Sequence, residues 1–391
     1  MLGLLLVAVG LLVPVYAYLL YPAAVVLLAR WRPRPLRPDP GWQPSVAVLL
    51  AVRDEAPRLA ARLEQLLAQD YPRARLQIRV LDDGSGDETP RILKDYAAQG
   101  VQSETVTPAQ GKAAALNRLV AGAVGEVLVL VDCRQRLPPD VVRLLVAALG
   151  DPTFGAVSGE LVLEEPDGRP SPSGLGHYWR FERRLRQAEA TFASAVQVSG
   201  ALYAIRRELF PPLPPGLLLD DLAVPLGAAR HGPRIGFVPE ARAYDTVADP
   251  GTERRRKLRT LGGNLELVVR WPWLLLPWRN RLWLPLLSHK LARLVVPYAL
   301  ICFLIGAFLI PSPYLWILLG LIGLCLVIAG LGRRRVLPGP LGTLARLGWT
   351  VLDLNLAALL GPWLWLTGRL TWRGKDGRGA QEARGSDGRS G

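Results

Sequence analysis

The sequence predicts an α/β fold built on a mostly parallel sheet and set between membrane-crossing helices. Three observations carry that expectation. Short continuous runs of valine and leucine, the mark of strands buried on both faces, alternate with amphipathic helical stretches. A leading apolar block and a trailing apolar cluster flank the region where these runs occur. The segments that follow the candidate strands all carry carboxylates, at Asp54-Glu55, Asp82-Asp83 and Asp132.

The elements follow in order. From Leu2 to Ala29 no residue is charged, a run longer than the ~20 residues that cross a bilayer. Arg30, Arg32, Arg34 and Arg37 follow it, which places that end in the cytoplasm. A cleaved signal peptide fits less well, because no basic residue precedes the run and no small-x-small site follows. Residues 1–30 are therefore expected to form an anchor with its amino terminus outside. Ser45 to Val52 reads as a first buried strand, Arg58 to Gln69 as a helix and Gln77 to Leu81 as a second strand. Arg91 to Gln99 reads as a second helix and Val127 to Val131 as a further strand. Strands alternating with helices argue a right-handed parallel arrangement, whose ligands bind beyond the carboxyl ends of the strands.

This catalytic region is expected over residues 41–270. Residues 271–283, with tryptophans interleaved with Arg279 and Arg281 and preceded by Arg270, suit helices lying in the membrane interface. Residues 284–371 hold about three further spans. Leu294 to Ile310 and Tyr314 to Leu331 flank a Pro311-Ser312-Pro313 turn, and Arg333 to Arg335 should face the cytoplasm. The block from Leu347 to Leu366 carries Asp353 and Asn355, so it is expected to pack against protein. The polar tail, 372–391, is expected to be disordered.

Composition narrows the function. The 391 residues are 50% hydrophobic with a net charge of +14 and a mean hydropathy of +0.21. Such apolar content excludes a disordered chain. Three cysteines, two of them (Cys302 and Cys325) in apolar runs, exclude a disulfide scaffold. Cys133 with the scattered His177, His231 and His289 does not make a four-ligand zinc site. The only lysines among the basic residues are Lys94, Lys112, Lys257, Lys290 and Lys375. No lysine-rich tail or aromatic-interleaved basic strand suggests nucleic acid, so the charge is read as suited to membrane lipids.

Carboxylates gathered at one sheet edge repel one another unless they hydrogen-bond a ligand or hold a cation. Asp82-Asp83-Gly84-Ser85 taken alone also reads as an ordinary turn. Gly84-x-Gly86 lacks the third glycine of a dinucleotide fingerprint, which argues against a dehydrogenase.

Three motifs in sequence resemble family 2 glycosyltransferases: Val48 to Glu55, Val80 to Asp87 and Gly111 to Asn117. The resemblance covers about Ser45 to Asn264, and with the membrane topology it is nearest to cellulose- and hyaluronan-synthase-like enzymes. It implies a GT-A fold, a nucleotide-diphosphate sugar donor (a UDP-sugar by expectation), Mg²⁺ or Mn²⁺, and inversion at the anomeric carbon. Carried over by position, Asp54, Asp82 and Asp83 contact the nucleoside, and Lys112 contacts its phosphates or base. Asp132 matches the first carboxylate of the family's D-x-D metal motif, but Arg134 stands where the second is expected. Either Asp132 with diphosphate oxygens holds the metal, or Arg134 supplies charge to the phosphates.

The segment from Ser199 to Arg207 resembles the acceptor side, where Gly200 lets backbone approach the sugar. Asp221 matches the catalytic base, with Asp220 as its neighbour. The same pair also suits a helix N-terminus. Arg256 falls on the arginine of the Gln-x-x-Arg-Trp motif of processive members, where it neutralises the departing diphosphate. Glu253 and Lys257 replace the motif's glutamine and tryptophan. Arg254 to Arg259 also read as a basic face on anionic lipid. The resemblance thus implies transfer to a polysaccharide or lipid-linked acceptor at the cytoplasmic membrane face. Four spans are few for a channel, so a homodimer or synthase partner is expected. A catalytically degenerate nucleotide-sugar-binding subunit is the alternative.

Overall fold

A computed structural model describes residues 1–164, 174–246, 249–310, 315–334 and 336–370. The Pro311-Ser312-Pro313 turn, Arg335 and the tail 372–391 lie outside the described residues. The sheet has seven strands: β1 (Val46–Val52), β2 (Leu76–Asp82), β3 (Val101–Thr105), β4 (Val127–Val131), β5 (Phe154–Glu164), β6 (Leu202–Arg206) and β7 (Arg234–Thr246). Their order is β3-β2-β1-β4-β6-β5-β7. Strands β3, β2, β1 and β4 run parallel, β6 is antiparallel to both its neighbours, and β5 pairs parallel with β7. This is the mostly parallel α/β sheet expected.

Val48, Leu50, Val127 and Val129 face one core layer, while Leu49, Leu128 and Leu130 face the other. Burial on both sides explains why β1 and β4 read as unbroken apolar runs. Register places Val52 opposite Asp82 and Leu50 opposite Val131, so the carboxylates following β1, β2 and β4 emerge at the same edge.

Among the described residues, four helices are long and apolar enough to cross a membrane: α1 (Leu2–Trp31), α9 (Trp283–Phe308), α10 (Leu315–Arg333) and α11 (Gly339–Leu366). The helices between them belong to the sheet domain: α2 (Ala56–Leu67), α3 (Thr89–Asp95), α4 (Lys112–Ala121), α5 (Val141–Leu149), α6 (Gly174–Phe192), α7 (Asp220–Ala229) and α8 (Pro250–Arg270). Helices α1 and α9 cross closely at small residues. A Cβ on Gly10 would fall 2.3 Å from Phe303 Cβ, and one on Gly306 would fall 2.7 Å from the Gly3 carbonyl oxygen. Small residues at such a crossing let the backbones approach.

One local expectation is revised. The tryptophan-rich stretch forms no interfacial helix: it makes a short 3₁₀ turn, Pro272–Leu275, with Leu274 fully buried. Asn280 is buried there and donates to the Leu274 carbonyl at 2.8 Å. Trp271 and Trp273 stack and pack against the core, leaving Trp278 exposed. The physical reason is that Pro272 and Pro277 break helical hydrogen bonding. Within the first span, Tyr21 and Val25 pack against Leu185 and Ala188 of α6. Asp353 does pack against protein: its carboxylate accepts a 2.6 Å hydrogen bond from Lys257 of α8. That pair ties the last span to the sheet domain's exit helix.

Candidate active site

Beyond β2 the chain turns through Gly84, whose φ of +71° favours glycine. Asp82 is buried, and its Oδ1 accepts the Ser85 backbone N–H at 3.1 Å. Its Oδ2 is buried without a partner. Asp83 accepts the N–H groups of Gln110 and Gly111 at 2.7 and 2.8 Å. Gly111, at φ +91°, is the residue that lets this loop turn into α4. Asp54 accepts the Gly86 N–H at 2.8 Å, while its own N–H donates to Ser85 Oγ at 2.9 Å. Its φ of +53° is costly for a residue other than glycine. These aspartates therefore do the work of a turn and still leave a buried acceptor, Asp82 Oδ2, unused.

Lys112 opens α4 and joins the two sides of the site. Its Nζ lies 3.1 Å from Asp132 Oδ1 and 3.2 Å from Asp220 Oδ2. Burial alone would lower its proton affinity, but the two carboxylates outweigh burial and raise it. Asp220 and Asp221 begin α7, as their helix-start reading anticipated. Gln197 Nε2 donates to Asp221 Oδ2 at 2.8 Å. Burial, and then the charge of Asp220, hold the Asp221 carboxyl above the usual aspartate range; Gln197 and Lys112 pull the other way. The Gly200 backbone lies against Asp221, where a Cβ would sit 3.5 Å from the aspartate's own. A raised carboxyl in such a setting suits a proton acceptor.

Arg134 does not line this cleft as a free cation. Its Nε donates to Asp245 Oδ1 at 2.9 Å and its Nη2 donates to Oδ2, while Gln135 Nε2 donates to Oδ2 at 3.2 Å. Among the described residues no group of three or more His, Cys, Asp or Glu side chains could enclose a metal. Of the two carboxylates of the expected metal motif only Asp132 is present, so an ion held there would need diphosphate oxygens and water to complete its shell. Cys133 is buried and its thiol is pushed up to about 12, chiefly by burial, which removes it as a nucleophile. Arg256 pairs only with Glu253, at 4.0 Å, and is not drawn to Asp132 or Asp221 among the described contacts.

The structure adds three residues to the site that the sequence reading passed over. Gln197 donates to Asp221, Asp245 pairs with Arg134, and the buried Tyr203 hydroxyl has no partner among the described residues although Asp220, Asp221 and Asp132 all act on it. Only Gln197 had a local signal, its place just before the Ser199-Gly200 segment.

Residues 47–211 match the model of the family described as Glycosyl transferase family 2. A beta-monoglucosyldiacylglycerol synthase of Synechocystis sp. is 23% identical over 268 residues, 66% of this chain and 56% of that protein. An N-acetylglucosaminyltransferase of Neorhizobium galegae is 29% identical over 250 residues, 58% of this chain and 56% of that protein. The chain thus spans about half the length of these curated relatives. A mannosyltransferase from Pyrobaculum calidifontis, solved with GDP-Man and Mn²⁺, is similar in structure, with a TM-score of 0.65 and 26% identity over 90% of this chain and 99% of that one. The fold is GT-A-like, with apolar helices at both ends of the domain.

Proposed function

We propose that this chain is an inverting glycosyltransferase that moves a sugar from a nucleotide-diphosphate donor to a lipid-linked or polysaccharide acceptor at the cytoplasmic membrane face. The observation that carries the reading is the Lys112 bridge. It brings Asp132, at the end of β4, within one ammonium group of Asp220 at the start of α7. The complex of the structural neighbour with GDP-Man and Mn²⁺ supports a nucleotide-sugar donor; a UDP-sugar is our expectation.

Asp54, Asp82 and Asp83 face the nucleoside, and the free Oδ2 of Asp82 accepts a hydrogen bond from it. Lys112 and Arg256 offset the charge of the diphosphate. Gly200 leaves room for the acceptor sugar. The acceptor hydroxyl gives its proton to Asp221 while its oxygen bonds to the anomeric carbon. The bond from that carbon to the diphosphate oxygen breaks, and its electron pair leaves with the nucleoside diphosphate. One displacement inverts the centre. Asp132 would hold Mg²⁺ or Mn²⁺, which when bound neutralises charge on the leaving diphosphate.

Membrane lipids surround the four apolar helices in this reading, with the sheet domain on the cytoplasmic side. A second copy or a partner protein would supply any further helices a polymer path needs. The neutralisation of Arg134 by Asp245 favours a second reading, a subunit that binds nucleotide-sugar without turning it over. A donor screen decides between the two: calorimetry with and without Mg²⁺ or Mn²⁺, then nucleoside diphosphate release in lipid. Turnover abolished in Asp221→Asn supports the enzyme; binding without turnover of any donor supports the subunit. A single sugar added per acceptor would reject polymer synthesis.

A further inference from the structure

The loop that carries Asp132 is held from behind by α2. Arg62 of that helix is 2% exposed, and its Nε donates to the Cys133 carbonyl at 3.3 Å. Its Nη1 donates to Gln65 Oε1 at 3.1 Å, and the same oxygen accepts the Leu137 N–H at 2.9 Å. Gln69, just past the helix, continues the clamp: its amide donates to the Pro138 carbonyl at 2.9 Å and accepts the Val142 N–H at 3.2 Å. Arg62 and Gln65 share one face of α2, since residues three apart are neighbours on a helix. The segment after β4 thus rests on a polar stripe.

Arg62 differs from the two glutamines in carrying a charge. Arg53, Arg58, Lys112 and Arg134 flank the same strand ends, and each has a carboxylate within 3.8 Å. Among the described residues Arg62 has no such partner, and its Nη2 is buried without a hydrogen bond. Leu59, Leu63 and Leu66 of the same helix are fully buried, so an apolar residue would sit here at far less cost than an unpaired guanidinium. The hydrogen bonds alone do not account for the charge, because a neutral donor would serve them.

Asp132, the chain neighbour of Cys133, is on the open side of this loop. Its side chain is 39% exposed and lies 3.1 Å from Lys112, while Arg62 is shut off from water. Burial lowers the proton affinity of Arg62, with Cys133 and Asp132 acting the other way. The guanidinium stays ionised all the same. A charge in such a low-dielectric setting is little screened. It attracts an anion placed at Asp132 and repels a bare divalent ion there. The diphosphate is such an anion, and an ion arriving with it meets oxygens that outweigh the repulsion.

We propose that Arg62 is a positioning residue that makes metal binding conditional on nucleotide: its fixed charge behind Asp132 favours the diphosphate and disfavours Mg²⁺ or Mn²⁺ alone. This role rests on the glycosyltransferase reading and adds an order to it, the metal entering with the diphosphate and not before it. Arg62 touches neither substrate nor ion. It acts through the loop it braces and the field it sets at Asp132.

The test is a pair of binding titrations of the full chain in phosphatidylcholine nanodiscs. Mn²⁺ is followed by electron paramagnetic resonance, and UDP and GDP without metal by calorimetry. In the parent, Mn²⁺ should bind about tenfold or more tightly once UDP or GDP is present. Arg62→Met should tighten bare Mn²⁺ about tenfold and weaken the nucleotide by about the same factor. Arg62→Lys keeps the charge and should move neither affinity by more than about threefold. Opposite shifts do not come from a loosened loop, which weakens both ligands. A joint fall in Arg62→Met therefore overturns the proposal and leaves Arg62 a brace, and an unchanged pair of affinities overturns it too. Where Arg62→Met does not fold, the parent still decides: bare Mn²⁺ held as tightly as Mn²⁺ with nucleotide overturns the proposal. If neither UDP nor GDP binds the parent, with or without Mn²⁺, the glycosyltransferase reading fails and takes this order with it. Nucleotide binding without the opposite shifts sinks only the role of Arg62.

Discussion

The turn beyond β2, on the proposed donor side, and the buried cluster between α6 and α9 hold their carboxylates by different means. Asp54, Asp82 and Asp83 are met by backbone N–H groups of Gly86, Ser85, Gln110 and Gly111, none more than 32 residues away. In the cluster between α6 and α9 the partners are side chains on other elements. Glu182 meets His289 across 107 residues of sequence and Arg293 across 111, and Tyr21 meets Glu189 across 168. A backbone donor persists through most substitutions near it, provided the loop keeps its glycines. A side-chain partner is lost with one codon. The turn beyond β2 should therefore tolerate change in its surroundings, and the α6–α9 cluster should not.

The largest effect expected is on the base. Asp221→Asn should lower turnover by about 10²–10⁴-fold while leaving donor affinity nearly unchanged, since no donor-side group bonds to it. Nucleoside diphosphate release and donor calorimetry check both halves of that statement. The sign of the stability change is also fixed. Burial and Asp220 raise the folded-state pKa of Asp221 above its unfolded value. A raised carboxyl contributes stability that is present below the unfolded pKa and is lost as pH rises through the folded one. At neutral pH the asparagine variant should therefore melt no lower than the parent, and the gap should close in acid. An inactive variant that also melts early would show that Asp221 is structural.

Next in size is the buried cluster at the membrane junction. Glu182→Ala removes a carboxylate that is shared by His289 and Arg293 and is held well below the usual range against the cost of burial. Breaking one partner of a buried ion pair costs about 3–5 kcal/mol, which thermal melting in lipid would register. Asp83→Ala is the matched test on the donor side. It strands the N–H groups of Gln110 and Gly111, a loss of about 1–3 kcal/mol, together with weaker donor binding. If Asp83→Ala destabilised the protein as much as Glu182→Ala, the contrast between the two sides would fail.

The same contrast explains what could be read from the sequence. Strands β1, β2 and β4, their order of appearance and the aspartates that follow them are local patterns, visible as apolar runs ending in carboxylates. The position of Lys112 was legible from its motif. Its bridge to Asp220 was not, because that contact depends on how β6 and α7 return to the sheet edge. Asp353 was recognisable as a misfit in an apolar helix, and the reading that it packs on protein holds, although its partner Lys257 could not be named. Arg134 looked like a lost metal ligand or a phosphate contact. Its bidentate pairing with Asp245 lies 111 residues away and leaves no local trace. The tryptophan-rich stretch differs for the opposite reason: its composition suited a helix, but Pro272 and Pro277 break it into a short 3₁₀ turn anchored by the buried Leu274.

The smallest effect tests whether acceptor-side partners tune chemistry or only hold shape. Gln197 donates to Asp221 and so favours its charged form, opposing burial and Asp220. Gln197→Leu removes that donor without adding charge, so the Asp221 pKa should rise further. The acidic limb of the kcat/KM profile, which reports the free enzyme's base, should move to higher pH. The plateau above it should hold, because a carboxylate of higher proton affinity is a stronger base once ionised. At neutral pH the net loss should be modest, about tenfold at most. A fall in the plateau with the limb unmoved would instead mean that Gln197 only braces the segment before Gly200. A shifted limb with an intact plateau would place this amide, found 24 residues from the base, among the groups that set when transfer can begin.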